Sequence, residues 1–353
     1  MADTNEGPDE YGEQFAEAVD EYLTKSYDGD RRRRLLEGGG WDPAFAGELG
    51  ELGWYSLAVP EEHDGLGAGL GALGPVFAQL GRHLVAGPQL ESFLLPALLP
   101  ESVDTAGVVA LVDPGVSDDW RAELGSVSLA DGRLAGSVTA SRFAAQADLL
   151  VVVAASASEE VVCVVDAAAS GVVVEDVDSA DPGAAFGRVT LDGVEAVPVG
   201  DDELVTRLRA WARLLLACEL GGIAHRSLEL AVAHVAQREQ FGRPVGSFQA
   251  LKHIAADMHA TWAGLDSLCR ATVADAAGAS LAELDLLGAI AKAHAADAAL
   301  RVCENAIQLH GGMGFTTEAD VGWYYRRALG LQAWYGDAVE LRRRVGAAAL
   351  AGP

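Results

Sequence analysis

The 353-residue sequence predicts a mainly α-helical protein with a β region in the middle of the chain. Three observations lead to this prediction. Apolar residues recur at three- and four-residue steps over the first hundred residues, which is the period of an amphipathic helix. From about residue 108 this period gives way to short β-branched runs bounded by turn signals. After about Asp202 the helical period returns in longer stretches.

The N-terminal region, residues 1–105, is predicted to be a helical domain. Phe15, Val19 and Leu23 recur at helical spacing and would share one face of a first helix. The chain-breaking residues that follow Val59 indicate a loop. Further helices are expected over Trp41–Leu52, Leu73–Arg82 and Leu90–Leu99.

The middle region, residues 106–201, is predicted to be a small antiparallel β-sandwich or barrel. Dipeptides that favour tight turns separate its apolar runs, namely Asp131-Gly132, Ser170-Gly171 and Asp192-Gly193. Several short strands packed into one stretch of sequence are typical of such a domain. The expected strands are Val108–Val112, Leu149–Ala154, Val161–Val165, Val172–Val177 and Arg188–Leu191.

The C-terminal region, residues 202–353, is predicted to be an antiparallel four-helix bundle. A first helix is indicated by apolar residues that recur at three- and four-residue steps, namely Leu208, Trp211, Leu215, Cys218 and Gly222, and a second is expected over Phe248–Ala277. Ser280-Leu281-Ala282-Glu283 is a capping box that opens a third helix, which would end at Gly311. The fourth is expected over Gly336–Leu350. The chain contains no strand–GxGxxG–helix unit, which excludes a Rossmann domain.

The composition excludes several classes of partner. The formal net charge is −27, and lysine occurs only at Lys25, Lys252 and Lys292. Such a surface repels the phosphates of nucleic acids and anionic lipids, so neither is expected as a partner. No long apolar run lacks charge or glycine, and the N-terminus is acidic and polar, so neither a membrane span nor a secretion signal is expected. A soluble cytoplasmic protein is predicted.

The four cysteines, Cys163, Cys218, Cys269 and Cys303, lie far apart in the sequence. They form no C-x-x-C motif and have no histidine at metal-ligand spacing, so no metal site is predicted. We expect reduced thiols that pack as small apolar side chains.

The first segment able to carry chemistry reads REQFGRPVGSFQ and runs from Arg238 to Gln249. It places an arginine at the end of one helix and a glutamine in the first turn of the next. An arginine fork beside helix-end amides suits a pyrophosphate, and Phe241 could pack on an aromatic ring. On composition alone, a charged corner with Phe241 inserted into the core is the more expected interpretation.

The second segment reads QLHGGMGF and begins at Gln308. Gly311, Gly312 and Gly314 would let the backbone approach a ligand closely and offer amide donors to phosphate. For an isolated glycine-rich turn, a helix C-cap followed by a flexible loop is the more expected interpretation.

Considered together, the two segments favour cofactor binding over the purely structural interpretations. RxxFGxPxxxFQ about seventy residues ahead of QxxGGxGF, in this order of regions, strongly resembles the acyl-CoA dehydrogenase family. Gly53-Trp54, the run from Val59 to Glu62, and Leu80-Gly81-Arg82 are similar to that family's N-terminal domain. The resemblance covers nearly the whole chain.

The resemblance implies N-terminal helices, a middle β domain and a C-terminal four-helix bundle, assembled as tetramers that bind FAD at a subunit boundary. It implies oxidation of an acyl-CoA thioester to the 2,3-enoyl-CoA, with a carboxylate as base and an electron-transfer flavoprotein or similar acceptor. The residues it assigns to FAD binding are Arg238, Phe241, Gln249, Gln308, Gly311, Gly312 and Gly314.

The chain departs from the family where the catalytic base is expected. Aligned on Tyr335, the family's Tyr-Glu-Gly-Thr has Gly336 in place of its glutamate and Ala338 in place of its threonine. The other position at which family members carry the base falls on Ala212, beside Arg213. No catalytic residue is therefore predicted.

The middle region departs as well. Ala140-Ser141-Arg142 stands where the family has a flavin-contacting triplet, and a family loop is reduced to Val112–Asp118. By this resemblance, the chain keeps the residues that in the family fold reach a neighbour's FAD and lacks those that serve the flavin of their own subunit. This pattern predicts a non-catalytic subunit of a heterotetramer with a base-bearing homologous partner. Some heteromeric enzymes of this family act on steroid side-chain CoA esters. The resemblance therefore suggests this substrate class for the chain.

Two alternatives stay open. The chain could be a self-sufficient dehydrogenase whose base is Asp337, Glu340 or Glu219, although a helix carboxylate such as Glu219 is more often paired with a neighbouring arginine. It could also be a structural homologue without redox function. The presence of Arg238 and Gln308 disfavours this second alternative, because a scaffold needs no phosphate-binding fork.

Overall fold

The computed structural model describes residues 8–113, 124–157, 159–181 and 183–351, and in these ranges the chain forms ten α-helices and one large sheet. Five helices precede the sheet and five follow it. The helices before it are α1 (Pro8–Ser26), α2 (Gly29–Glu37), α3 (Pro43–Glu51), α4 (Gly69–His83) and α5 (Gln89–Leu98).

The N-terminal helices begin and end where local chemistry requires it. The Asp28 side chain accepts a hydrogen bond from the Arg31 amide and caps α2, while Asp42 accepts from the first amides of α3. Gly53 follows α3 with φ +76°, a conformation that glycine adopts without strain. The helices predicted from Val19, Leu73 and their neighbours are confirmed to within a few residues.

The middle of the chain forms a mixed eight-stranded sheet in the order β6-β7-β3-β2-β4-β5-β8, with β1 beside β4. The predicted β region is confirmed, but β1 and β2 each pair with β4 in parallel, and the sheet does not close into a barrel within the described residues. The strands are β1 (Val109–Val112), β2 (Gly125–Ala130), β3 (Arg133–Arg142), β4 (Leu149–Ser156), β5 (Glu159–Asp166), β6 (Val172–Val177), β7 (Phe186–Glu195) and β8 (Pro198–Gly200).

Two of the predicted turns have different outcomes. Asp131-Gly132 joins β2 to β3, and both residues have positive φ, as a tight hairpin turn requires. Asp192-Gly193 does not end a strand, and the prediction of a turn there is wrong. Gly193 lies inside β7 with φ +66°, at a register shift opposite Leu134, so it is the extra residue of a β-bulge.

Five helices follow the sheet, and they differ from the predicted four long ones. Three are long, α6 (Asp202–Gln237), α7 (Gln249–Ala276) and α8 (Leu281–His310), and the capping box predicted at Ser280 opens α8. The last part of the chain forms two shorter helices, α9 (Val321–Leu331) and α10 (Ala338–Ala351). The turn between them includes Gly336, which has φ +107°, so α10 begins two residues later than predicted.

One hydrophobic core joins the N-terminal helices, the bundle and one face of the sheet, and a second core covers the other face. Along β4 the side chains alternate between them: Val151 and Val153 lie in the first core, Leu150 and Val152 in the second. No helix in the described ranges is long and apolar enough to cross a membrane.

Helices α4 and α6 touch backbone to backbone. A Cβ atom at Gly81 would lie 2.0 Å from the Glu219 carbonyl oxygen, and one at Gly222 would lie 1.8 Å from that of Ala78. Both glycines are therefore required for this approach, because any side chain would force the two helices apart.

Candidate functional site

The first segment predicted to bind a cofactor forms a tight β-hairpin between α6 and α7. β9 (Glu239–Gln240) pairs with β10 (Arg243–Pro244), and the Val245 amide donates to the Arg238 carbonyl at 2.7 Å. Phe241 and Gly242 occupy the turn, with φ of +55° and +76°. Positive φ at both central residues is the conformation that Asn-Gly favours, so a phenylalanine there is strained by about 1 kcal/mol.

The hairpin holds Phe241 in solvent. Its side chain is 90% exposed, so the expectation of a phenylalanine inserted into the core is wrong. The Phe241 ring meets the Phe248 ring edge to face at 6.1 Å, and the Arg243 guanidinium lies 4.1 Å above Phe248. Apart from this contact with Phe248, the Phe241 ring is exposed on a strained turn, which favours a role in binding.

The second predicted segment ends α8. Gly311 has φ +61°, and neither Gly311 nor Gly312 has any atom within 4 Å of its Cβ position, so the backbone is open to a ligand on that side. Gly314 differs, because it is buried and its Cβ position lies 2.7 Å from the Ile307 carbonyl oxygen. Gly314 therefore lets the turn pack on α8 and does not present its backbone to solvent.

The structure places the ends of the two helices that lead into these segments side by side. The rings of His234, in the last turn of α6, and His310, at the end of α8, stack with centroids 4.3 Å apart. The predicted cofactor residues other than Gly314 are exposed at this end of the bundle. We call this set the bundle-end surface: Arg238, Phe241, Gln249, Gln308, Gly311 and Gly312.

The start of α7 adds a feature that suits an anion. Phe248 is the N-cap residue of this 28-residue helix and provides no side-chain hydrogen bond to its first amides. Those amides carry the partial positive charge of the helix N-terminus, beside Gln249 and one hairpin away from Arg238. An aromatic ring, a guanidinium, two amide side chains and open glycine backbone are groups that fit a dinucleotide such as FAD.

The positions of the family's base are closed. Gly336 is buried, with φ +107°, and a Cβ atom there would lie 2.7 Å from Leu341 Cδ2. The Arg213 Nε donates to the Tyr335 carbonyl at 2.8 Å, and the Lys292 ammonium donates to the Gln332 carbonyl at 2.9 Å. Two buried basic side chains thus hold the turn at the position that aligns with the family's catalytic carboxylate.

Asp337 caps a helix. Its Oδ1 accepts hydrogen bonds from the Val339 and Glu340 amides at 2.8 and 2.9 Å, at the N-terminus of α10. Glu340 lies half-buried in the first turn of the same helix. Acidic groups in these places stabilise a helix N-terminus, which accounts for both without a catalytic role.

Glu219, the third candidate base, is paired. Its carboxylate lies 3.1 Å from Arg327 Nη1, and Arg327 Nε lies 2.6 Å from the carboxylate of Asp181. All three side chains are buried. The pairing of Glu219 with an arginine was the more expected interpretation, although the arginine is more than 100 residues away in sequence.

Of the three middle-region positions, Ala140 is half-buried and the other two are buried. Ser141 and Arg142 are 2% and 4% exposed, and the Arg142 Nε lies 3.8 Å from the Glu91 carboxylate of α5. Burial raises the pKa of Glu91, and the charge of Arg142 opposes this rise. In the predicted reduced loop, Asp113 pairs with Arg209 at 2.7 Å, and residues 114–118 lie outside the described residues.

Sequence reasoning missed the buried charges of this region. Glu91 was the signal that could have found them, because an acidic residue inside the apolar stretch Gln89–Leu98 requires a partner once it is buried. The same holds for Arg327 within α9. We call the group Glu91, Arg142, Asp181, Glu219 and Arg327 the buried charge cluster.

Comparison with known proteins fits this geometry. The protein-family model described as "Acyl-CoA dehydrogenase, C-terminal domain" matches residues 204–350 of this chain. The chain is 32% identical over 332 residues to the acyl-CoA dehydrogenase FadE34 of Mycobacterium tuberculosis, with 88% of this chain covered but only 43% of FadE34. It is 30% identical over 308 residues to the acyl-CoA dehydrogenase IpdE2 of Mycolicibacterium smegmatis, with 87% and 88% covered.

Solved structures have the same fold. A chain of the ChsE4-ChsE5 complex from Mycobacterium tuberculosis superposes with a TM-score of 0.88 at 24% identity, and 98% of each chain is covered. A variant of the Tcur3481-Tcur3483 steroid ACAD gives a TM-score of 0.87 at 25% identity, with 98% of this chain and 99% of that chain covered. The chain therefore belongs to the acyl-CoA dehydrogenase family.

Proposed function

We propose that this chain is the non-catalytic subunit of a heteromeric acyl-CoA dehydrogenase and lends its bundle-end surface to FAD held with a base-bearing homologous partner. The observation that carries the proposal is the contrast between two sets of positions. Apart from Gly314, the cofactor residues that would act across a subunit boundary are exposed, whereas those that would serve this chain's own flavin and substrate are buried or replaced.

Each group of the bundle-end surface has a specific task in this proposal. Arg238 and the first amides of α7 bind the pyrophosphate, and Phe241 packs on an aromatic ring of the cofactor. Gln249 and Gln308 hydrogen-bond to its polar edges, and the open backbone at Gly311 admits close approach. The chemistry that bound FAD would supply is that of a hydride acceptor for the acyl chain.

The remaining parts of the reaction belong to the partner. It supplies the carboxylate that removes the α-proton of an acyl-CoA thioester, since Gly336 and Ala212 of this chain carry none. The names of the complexes ChsE4-ChsE5 and Tcur3481-Tcur3483 support a heteromeric assembly, and the words "steroid ACAD" support a steroid-derived acyl-CoA as the substrate class. An electron-transfer flavoprotein or similar protein is the proposed acceptor.

The flavin content of the purified protein tests the proposal. We expect the chain alone to be colourless and its complex with a co-expressed base-bearing homologue to hold about one FAD for each pair of chains. Absorbance at flavin wavelengths after gel filtration measures both. A yellow oligomer of this chain alone, with one FAD per chain, would contradict the proposal.

A pair of matched variants localises the contact. Arg238→Ala is expected to weaken FAD retention by the complex by about tenfold, because a charge-assisted hydrogen bond to phosphate is lost. Arg207→Ala is the control, since Arg207 is an exposed arginine at the other end of the same helix. Equal flavin content in the two variants would argue against the bundle-end surface as the site.

A further inference from the structure

Two histidine rings stack where α6 and α8 end. His234 lies in the last turn of α6, His310 is the last residue of α8, and their ring centroids are 4.3 Å apart with an interplanar angle of 24°. Both side chains are half-buried. The function proposed above leaves this histidine pair without a task, although it lies between the two segments of the bundle-end surface.

Arg238 joins the histidine pair. The Arg238 amide donates to the His234 carbonyl at 2.9 Å, so the chain is still helical here and the side chains of residues 234 and 238 share one face of α6. Three basic groups from two helices therefore gather in one place. The whole chain has 52 acidic residues against 25 lysines and arginines, so such a gathering is not expected from composition.

The chain does not neutralise these three groups. Among the residues that the structure describes, no carboxylate oxygen lies within 4.0 Å of a side-chain nitrogen of His234, Arg238 or His310. Glu239, which follows Arg238 in the hairpin, is exposed and forms no ion pair with any of them. Basic groups that lack an internal counter-charge suit an anion supplied from outside the chain.

Two other half-buried histidines provide a contrast. His83 Nε2 lies 2.6 Å from the Asp20 carboxylate, and His225 Nε2 lies 3.6 Å from that of Glu229. The chain thus supplies a carboxylate to each of these rings. The lack of one beside the stacked pair distinguishes the bundle end from the rest of the helical core.

The hydrogen bond of His310 decides which of its nitrogens can meet an anion. Its Nδ1 lies 2.8 Å from the Ala306 carbonyl oxygen, which can only accept, so Nδ1 carries a hydrogen. In the neutral ring Nε2 then presents a lone pair, which repels an anion. A proton on Nε2 turns it into a charged donor, so this ring binds an anion only in its protonated form.

Resting on the function proposed above, we propose that His234 and His310 complete, together with Arg238, the site for the FAD pyrophosphate, and that the histidine pair takes up one proton when FAD binds. The groups that face His234 are His310 of α8 and Arg238 of its own helix, and burial, followed by their charges, lowers the pKa of His234. The pair therefore resists protonation while no anion is bound. A bound pyrophosphate offsets this repulsion and raises the pKa of the pair, so affinity for FAD should increase as the pH falls.

Titration of FAD into the flavin-free complex of this chain with its base-bearing partner tests the proposal. Quenching of flavin fluorescence gives the Kd, which should be about tenfold lower at about pH 6 than at about pH 8.5, the effect of one pKa unit. Calorimetry in two buffers of different ionisation enthalpy measures the proton uptake directly. A Kd that stays constant over this interval, without proton uptake, would overturn the proposal.

A double variant assigns the proton to the pair. His234→Gln with His310→Gln keeps side chains that form hydrogen bonds but removes both titrating rings, so its Kd should no longer depend on pH and should be about tenfold higher than that of the wild type at about pH 6. His294→Gln is the control, since His294 is exposed on the same helix as His310 and should leave the wild-type behaviour unchanged. Wild-type pH dependence in the double variant would contradict the proposal, and the calorimetry of the wild type decides the matter if the variant does not fold.

Failure of the proposed function itself has a different signature. In that case the complex binds no FAD at any pH. Calorimetry with ADP-ribose on the full chain then tests the anion site alone, because this compound carries a pyrophosphate diester of fixed charge and no flavin. Binding with proton uptake, lost in the double variant, would support the role of the histidine pair, and binding without proton uptake, or no binding, would overturn it.

Discussion

The bundle-end surface and the buried charge cluster have opposite characters. In the first, a phenylalanine is held 90% exposed on a strained turn, and glycine backbone is left open. In the second, five charged side chains from the N-terminal helices, the sheet region and the bundle are buried and brought close to one another. The difference teaches that this chain buries one set of charged side chains against its own elements and leaves the groups of the other set open to solvent.

The largest effect is expected from breaking the buried charge cluster. Arg327→Met should lower the free energy of unfolding by about 4 kcal/mol, because Asp181 and Glu219 are left buried without their cation. Chemical denaturation measures it. Arg133→Ala is the control, since its pair with Glu195 is largely exposed and should cost at most about 0.5 kcal/mol. A similar loss of unfolding free energy in both variants would contradict the view that the buried charges contribute more to stability than the exposed pair.

Restoring a carboxylate at the family's base position should fail. Gly336→Glu is expected to destabilise the chain by about 3 kcal/mol, because φ is +107° and the new Cβ would lie 2.7 Å from Leu341. No dehydrogenase activity should appear in the chain alone. Gly346→Ala is the control in α10, where no atom lies within 4 Å, and should stabilise slightly. A stable and active Gly336→Glu chain would show that the closed turn opens readily.

The pH dependence of stability tests the buried cations beneath that turn. Burial, followed by the charge of Arg213, lowers the pKa of Lys292 from 10.5 to about 7 in the folded chain. Above this pH the unfolded chain binds the extra proton, so the free energy of unfolding should rise by about 1 kcal/mol per pH unit between about pH 7 and 8.5. Below about pH 7 the cost of burying the ammonium is present in full.

Comparison with Lys292→Met isolates this contribution. The slope of stability against pH over the same interval should be lower in the variant by about the same 1 kcal/mol per unit, because no buried amine titrates. Denaturation with urea at several pH values provides the measurement. Identical slopes in the two proteins would mean that Lys292 titrates as an ordinary exposed amine.

The smallest effect on stability is expected at the tip of the hairpin. Phe241→Asn should raise the free energy of unfolding by about 0.5 kcal/mol, because asparagine accepts positive φ more readily. Flavin retention by the complex should fall at the same time, since the exposed ring is lost. Asp131→Asn, at the corresponding position of the other hairpin, should change neither quantity. If the complex that carries Phe241→Asn retained its full flavin content, the proposal that the exposed ring of Phe241 contacts the cofactor would be contradicted.

Much of the fold could be predicted because its signals are local. The capping box at Ser280 and the Asp131-Gly132 hairpin depend on residues adjacent in sequence, and both are confirmed. The bulge at Gly193 was misread because a glycine with positive φ serves a turn and a bulge equally well. The parallel pairing of β1 with β4 depends on segments about 40 residues apart, for which the sequence carries no local signal.

The candidate site divides in the same way. The two motifs at the bundle end could be predicted from their own spacing, and the structure brings them together through His234 and His310. The pairing of Arg142 with Glu91, and of Arg327 with Glu219, joins residues from distant elements. Periodicity and composition do not encode which charged residues pair. From the sequence one could predict only that each of these residues, if buried, needs a partner of opposite charge.

The backbone contact between Gly81 and Gly222 has a consequence for how the molecule unfolds. Helices that interlock without side chains between them cannot separate by small rotamer changes, so α4 cannot leave α6 while the bundle stays intact. We therefore expect the N-terminal helices and the bundle to unfold as one cooperative unit and to show similar hydrogen-exchange protection. In the function proposed above, this unit would serve as a rigid platform for the bundle-end surface.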